Sequence, residues 1–241
     1  MTAIGNVIEI WRYPTSSIGG ELIAQARLTP AGVHNDRRYA LIDAATGMPA
    51  APERELRWRP ALNIISTTPP GDVPVLHFPD GLVLPLDDLQ INQHLSGYFG
   101  FPVMVAVHEP YGQYPVTRPR YLHAPVHLVT TASLQHMAAL RNGEPLDSRR
   151  FRPNFVVRNA DDRGFAEDAW TGARFRLGEV VLQVKEQTKR CGLTFIAQPG
   201  LPEDPDILRS IVRNNKRHFG VYATVERAGT VRLGDDLVRE G

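Results

Sequence analysis

One cysteine, Cys191, stands in the whole chain of 241 residues. That count rules out an intramolecular disulfide framework and suits a reducing compartment. Charge of either sign is also missing in excess: 27 Lys and Arg against 26 Asp and Glu leave a formal net charge of +1, so no broad field for nucleic acid or a membrane surface is implied. No apolar run approaches the ~20 residues that span a bilayer. The start, Met1 to Pro14, lacks a basic segment followed by an apolar one, so no secretory signal is read there. A soluble, cytoplasmic protein is expected, with no nucleic-acid and no membrane partner.

What is abundant is punctuation. Twenty prolines and twenty glycines are scattered among short apolar runs, which points to a mainly β fold with many turns and a few short helices. Strands are expected at Val7 to Trp11, Glu21 to Leu28, Arg38 to Asp43, Ala61 to Ser66, Val103 to Val107, Val126 to Val129, Phe151 to Val157, Phe219 to Glu226 and Thr230 to Leu233, with a hairpin across Pro79-Asp80-Gly81. Helices are expected from Asp88 to Phe99, from a threonine cap at 130–131 to about Leu140, and from Asp206 to Asn214 behind an Asp204 cap and Pro205. The stretch Pro110 to Pro125 has no period and reads as a long loop between two lobes, 1–110 and 111–241.

The most informative stretch surrounds the cysteine. Val180, Leu182 and Val184 alternate with Val181, Gln183 and Lys185, a strand that delivers Cys191 to a turn at Gly192. Lys189 and Arg190 flank the thiol, and neighbouring cations favour the thiolate, the form that attacks or ligates. A lone cysteine is otherwise a small buried apolar residue, and both readings stand on composition. Gly192 would let the backbone approach a bulky ligand. Asp36-Arg37 is either an ion pair or a fork aimed at phosphate, and Arg152 and Asn154 sit at the mouth of a strand opened by Pro153. His123 and His127 are four apart, but Pro125 lies between them and the segment reads as extended, so they are not taken as metal ligands.

Several of these pieces occur together in order: Tyr13-Pro14, Asp36-Arg37-Arg38-Tyr39, Ala132-Ser133-Leu134, Arg150-Phe151-Arg152-Pro153-Asn154, Phe165 to Trp170, Arg190-Cys191, Phe219-Gly220-Val221-Tyr222 and Gly234-Asp235. The set resembles the MOSC domain, preceded by the smaller β-barrel domain that often accompanies it. The resemblance implies a MOSC-type β-barrel, a molybdenum cofactor of the molybdopterin type, and Cys191 as metal ligand. It also implies cofactor contacts at Arg37, Arg152 and Asn154, with Ser17 and Thr131 as weaker ones. A soft thiolate suits molybdenum and a guanidinium suits phosphate. Two positions depart from the family's reductases: Ser16 stands where they carry lysine, and their paired threonines after the cysteine are reduced to Thr194 followed by Phe195.

The implied activity is reduction of N-hydroxylated small-molecule substrates such as hydroxylaminopurines and amidoximes. Cys191 and Asp168 are the catalytic candidates, the latter as a proton carrier. Glu167 and Asp168 have a second reading, as structural carboxylates that satisfy backbone N–H groups or pair with arginines such as Arg152. Two rivals remain: a sulfur or cofactor carrier working through a Cys191 persulfide, and a binding module that has lost the metal. No cysteine follows Cys191, and Gly19-Gly20 and Gly229 are isolated turns rather than a dinucleotide fingerprint. Electrons are therefore expected from a separate donor protein, attracted by a basic patch of Arg118, Arg120, Arg149 and Arg150.

Overall fold

Short amphipathic strands bury their apolar face only by pairing, and here most partners lie far away in sequence. The structure, a computed structural model, describes residues 3–69, 73–120, 125–159 and 164–240. The first half of the chain contributes strands β1 (Ala3–Arg12), β2 (Glu21–Leu22), β3 (Gln25–Thr29), β4 (Gly32–Val33), β5 (Tyr39–Asp43), β6 (Ile65–Thr67), β7 (Val75–His77), β8 (Val83–Pro85) and β9 (Val103–Val107), with helix α1 (Ile91–Phe99). The second half contributes β10 (Val126–Thr130), β11 (Phe155–Asn159), β12 (Arg174–Leu177), β13 (Val180–Lys189), β14 (His218–Arg227), β15 (Gly229–Arg232) and β16 (Asp236–Glu240), with α2 (Thr131–Ala139) and α3 (Pro205–Asn215).

The largest sheet runs β11-β10-β14-β13-β12-β16-β1-β2, and β1 pairs again with β11. Since β2 hangs on β1 alone, the other seven strands close into a barrel. β10 and β11 are its parallel pair, which needs a crossover, and α2 supplies it. Inside lie Ile10, Phe155, Phe175, Leu182, Val221 and Leu237. The first strand of the chain is thus a stave of the barrel built by the second half, and β3 reaches the same half by pairing with β15. The remaining N-terminal strands pack around a second core that includes Trp58, Leu41, Ile64 and Val105. A third, smaller core joins Met137 of α2 and Ile207 and Ile211 of α3 to Phe151 and Phe219. No helix among the described residues is long and apolar enough to cross a membrane.

Local deviations have local causes. The run Glu21 to Leu28 splits into β2 and β3, and Ala61-Leu62 close a 3-10 turn, Leu56–Asn63, before β6 begins. The strand expected from Phe151 starts only at Phe155. Phe151 ends a 3-10 turn and Arg152 takes a left-handed conformation, φ 53° and ψ 51°. β12 and β16 were not anticipated, because their outward positions carry Arg174, Arg176, Asp236 and Arg239 and the inward ones are few.

Glu167 shows how tightly the interior is specified. It is fully buried, and one carboxylate oxygen accepts the hydroxyls of Thr130, the N-cap of α2, and Ser133. Two hydroxyls and its own backbone N–H hold it, and no arginine pairs with it among the described residues. Burial raises its pKa, so its contribution to stability falls as pH rises through that raised value. Glu167→Ala is expected to cost about 1–3 kcal/mol by stranding both hydroxyls. Glu167→Gln, which resembles the neutral acid, should flatten this part of the pH dependence in denaturant titrations.

Candidate functional site

β13 carries the chain to the cysteine, and the turn is pinned on both sides. The Arg190 N–H donates to the Arg217 carbonyl at 2.8 Å, and Arg217 Nε donates to the Arg190 carbonyl at 2.6 Å. The Cys191 carbonyl accepts the Thr194 hydroxyl at 3.0 Å and caps a 3-10 turn, Gly192–Phe195. The thiol is free and half-buried. A Cβ at Gly192 would lie 3.2 Å from the Phe195 ring and 3.4 Å from Glu53, so this glycine accommodates protein side chains rather than the expected ligand.

Cys191 opens on a cavity of about 590 Å³ whose wall draws on both halves of the chain: Ser16, Ser17, Arg37 and Arg38 from one, Arg152, Asn154, Arg190 and Tyr222 from the other. Four residues of this wall, Ser17, Asn35, Arg37 and Arg152, have positive φ without being glycine, at 66°, 60°, 51° and 53°. Each such conformation costs of order 1–3 kcal/mol and persists only where surrounding contacts impose it.

Behind the Arg152 part of this wall lies His127. The ring is 3% exposed; Nδ1 donates to the Arg152 carbonyl at 3.3 Å, and Nε2 accepts from Arg190 Nη1 at 3.5 Å. Burial, then the adjacent Arg190 cation, hold its pKa well below 6.5, so the imidazole is neutral. Gly220 makes room for it: a Cβ there would stand 2.6 Å from Nε2. Around this ring the two guanidinium groups are fixed by carbonyls, Arg152 on Ile18 and Arg190 on Phe151. Arg152 also lies 4.2 Å from the centre of the Tyr13 ring, with Arg37 at 4.8 Å from the same ring. Burial and the Arg37 charge lower the Arg152 pKa to about 10, still high enough to keep the group cationic at neutral pH. Two of their N–H groups, Arg152 Nη2 and Arg190 Nε, are buried without a partner. Such groups are costly to leave empty, and they mark a place for an anion.

Residues 90–238 match the MOSC domain and residues 4–95 match the MOSC N-terminal beta barrel domain. The chain belongs to the MOSC family. The human mitochondrial amidoxime-reducing component 1 is 24% identical to this MOSC protein over 97% of the chain and 82% of its own length. Human mitochondrial amidoxime reducing component 2 is 25% identical over 98% and 84%. A molybdenum cofactor sulfurase of Drosophila grimshawi is 35% identical, over only 39% of the chain and 12% of that protein. The YUAD protein of Bacillus subtilis has the same fold, with a TM-score of 0.53 at 12% identity over 97% of this chain and 93% of that one.

Of the residues expected at the site of this MOSC protein, Cys191, Ser17, Arg37, Arg152 and Asn154 line the cavity, and Thr131 and Asp168 do not. Thr131 is the first residue of α2, and Asp168 is tied by Oδ2 to the amide of Asn215 at 2.7 Å. Ser17 donates its hydroxyl to the Ala50 carbonyl. Asn154 is fully buried, with its amide engaged by His127 N, Asp36 and the Trp11 carbonyl, so it also positions the wall. Arg37 pairs with Asp36, as the ion-pair reading expects, and, a third exposed, also lines the cavity. His127 is no metal ligand, and His123 lies outside the described residues. Sequence reasoning read Arg190 as a cation beside the thiol rather than as part of the cavity wall, and left Arg38 and His108 without a role, although Arg38 follows Arg37. Of the expected basic patch, Arg118 is exposed, whereas Arg120 pairs with Glu53, Arg149 with Asp147, and Arg150 is buried on the carbonyls of Thr194 and Pro202.

The neutral His127 makes a pH prediction. As pH falls below about 6.5, the unfolded chain takes up a proton that the folded ring refuses, so stability drops. His127→Gln should lose about 1–3 kcal/mol for its altered bonds yet show a shallower decline on acidification, read from melting curves across pH 5–7.

Proposed function

We propose that the cleft holds a molybdenum cofactor of the molybdopterin type, with the Cys191 thiolate as protein ligand to the metal. On this reading the protein reduces N-hydroxylated small molecules such as amidoximes and hydroxylaminopurines. The observation that carries it is the free thiol opening on the same cavity as two buried arginines with unpartnered N–H groups. A phosphate oxygen would satisfy those groups, and the guanidinium fork suits it. Among the described residues no three His, Cys, Asp or Glu side chains gather as a metal site. The donor set therefore fits a metal that arrives on its own organic chelate and takes one soft ligand from the protein. The relatives named for amidoxime reduction support the substrate class.

When bound, the cofactor supplies the centre at which the oxygen leaves the nitrogen, and the balance is R–NH–OH plus two electrons and two protons giving R–NH2 and water. The chain's own part is to bind and to move protons. Arg152, Arg190 and Arg37 hold the anion. Ser16 and His108 handle protons in place of the distant Asp168: both line the cavity, the Ser16 hydroxyl meets His108 Nε2 at 3.1 Å, and His108 Nδ1 donates to the Thr117 carbonyl at 3.2 Å. Ser16 stands at the position where the family's reductases carry lysine. On this reading the electrons come from a separate donor protein.

Protein made in a host competent for molybdenum cofactor synthesis should carry near-stoichiometric molybdenum by elemental analysis. Cys191→Ser should lose it while keeping the melting temperature, and Arg152→Gln should weaken cofactor retention by about 10- to 100-fold. Metal retained by Cys191→Ser would sink the ligand assignment. A persulfide on Cys191 in metal-free protein would instead favour the sulfur-carrier reading, to which the likeness to the sulfurase points.

A further inference from the structure

We propose that the outward face of α3 is the docking surface for the electron donor, a small acidic redox protein with an apolar centre; the proposal rests on the reductase reading of the cleft. α3 has two apolar stripes where a surface helix needs one. Ile207 and Ile211 face inward, at 1% and 0% exposure, against Phe151 and Phe219. Pro205, Leu208 and Val212, spaced by three and four residues, line a groove of about 560 Å³ on the other side, floored by Phe195. Val212 is 50% exposed.

The groove is adjacent to the site. Phe195 closes the 3-10 turn that Cys191 caps, its ring lies against Gly192, and its carbonyl accepts the Asp204 N–H, the N-cap of α3, at 2.8 Å. A partner seated on α3 therefore rests on the same short segment that positions the thiol. The rim is basic. Arg209 and Arg213 border the groove and no acidic side chain lines it. Arg209 reaches Asp206 at 2.8 Å, whereas Arg213 makes no hydrogen bond or ion pair among the described residues. Lys216 and Arg217 continue the positive charge past the C-terminus of the helix, both exposed. A small apolar centre bordered by Arg209 and Arg213, with Lys216 and Arg217 beyond, matches an acidic carrier that binds transiently: such encounters bury less than about 1,200 Å² and use charge for rate rather than tightness. Two one-electron deliveries from a reduced haem or iron–sulfur carrier, which is oxidised in turn, match the two electrons needed for each N–O bond broken.

The test uses the molybdenum-loaded full chain with benzamidoxime. Turnover is measured first with chemically reduced methyl viologen, then with NADH, a flavoprotein reductase and a small acidic haem or iron–sulfur carrier. Arg213→Glu breaks no internal bond and Val212→Asp breaks the apolar centre. Each is expected to lower kcat/KM for the carrier by about tenfold, with a flatter salt dependence for Arg213→Glu, while viologen-supported turnover is unchanged. Carrier-supported turnover equal to the unsubstituted protein in Arg213→Glu would overturn the docking surface alone. So would a dimer of this chain in sedimentation that Val212→Asp dissociates, since the groove would then be covered by a second copy. No viologen turnover in the unsubstituted, metal-loaded protein would overturn the reductase reading, and the docking proposal with it.

Discussion

Asn154 is the joint on which the cleft depends. Its main chain bonds outward both ways, the N–H to the His127 carbonyl and the carbonyl from the Trp11 N–H, each at 2.8 Å. Its side chain repeats the pattern, accepting the His127 N–H at 3.0 Å and donating to the Trp11 carbonyl at 3.4 Å and to Asp36 at 3.1 Å. One fully buried amide therefore locks β1, β10 and the loop that carries Arg37 into a single wall. Asp36 in turn accepts the Tyr13 N–H and pairs with Arg37. Because a buried amide left with broken partners costs more than the bonds themselves contribute, the arrangement is all-or-none.

That rigidity allows a cationic wall to exist. Arg37, Arg152 and Arg190 repel one another, and the proximity of Arg37 is part of what depresses the Arg152 pKa. Asp36 is the carboxylate that faces this group; the rest of the balance comes from carbonyls and the Tyr13 ring. Left-handed backbone at Arg37 and Arg152 adds strain to repulsion. Strain and like-charge repulsion gathered at one cavity are tolerated because the surrounding contacts fix them.

His127 illustrates the same economy in a neutral group. Between the Arg152 carbonyl and the Arg190 guanidinium one ring nitrogen donates and the other accepts, as in the neutral ring that burial and the Arg190 charge favour over the opposing pull of the Arg152 and Phe219 carbonyls. Protonation would turn the acceptor into a donor facing Arg190. The glycine at 220 follows from this, since any side chain would occupy the ring's place.

Read alone, the sequence determined what short range controls. The alternation around Leu182 made a strand, Asp204 and Pro205 opened α3, Thr130 capped α2, and the strand before Cys191 did deliver the thiol to a turn. Period, cap and turn chemistry are properties of a few consecutive residues, so they are legible in order. The ordered motifs also identified the family. Tertiary structure alone decided which residues meet. β1 pairs with β11 across nearly 150 positions, so Arg37 and Arg152 become neighbours only when the barrel closes. Closure also leaves Thr131 and Asp168 outside the cavity wall, makes Asn154 a joint of that wall, and leaves α3 a second apolar stripe. No local pattern carries that information, because the direction of a side chain relative to a distant strand is set by the register of the ring.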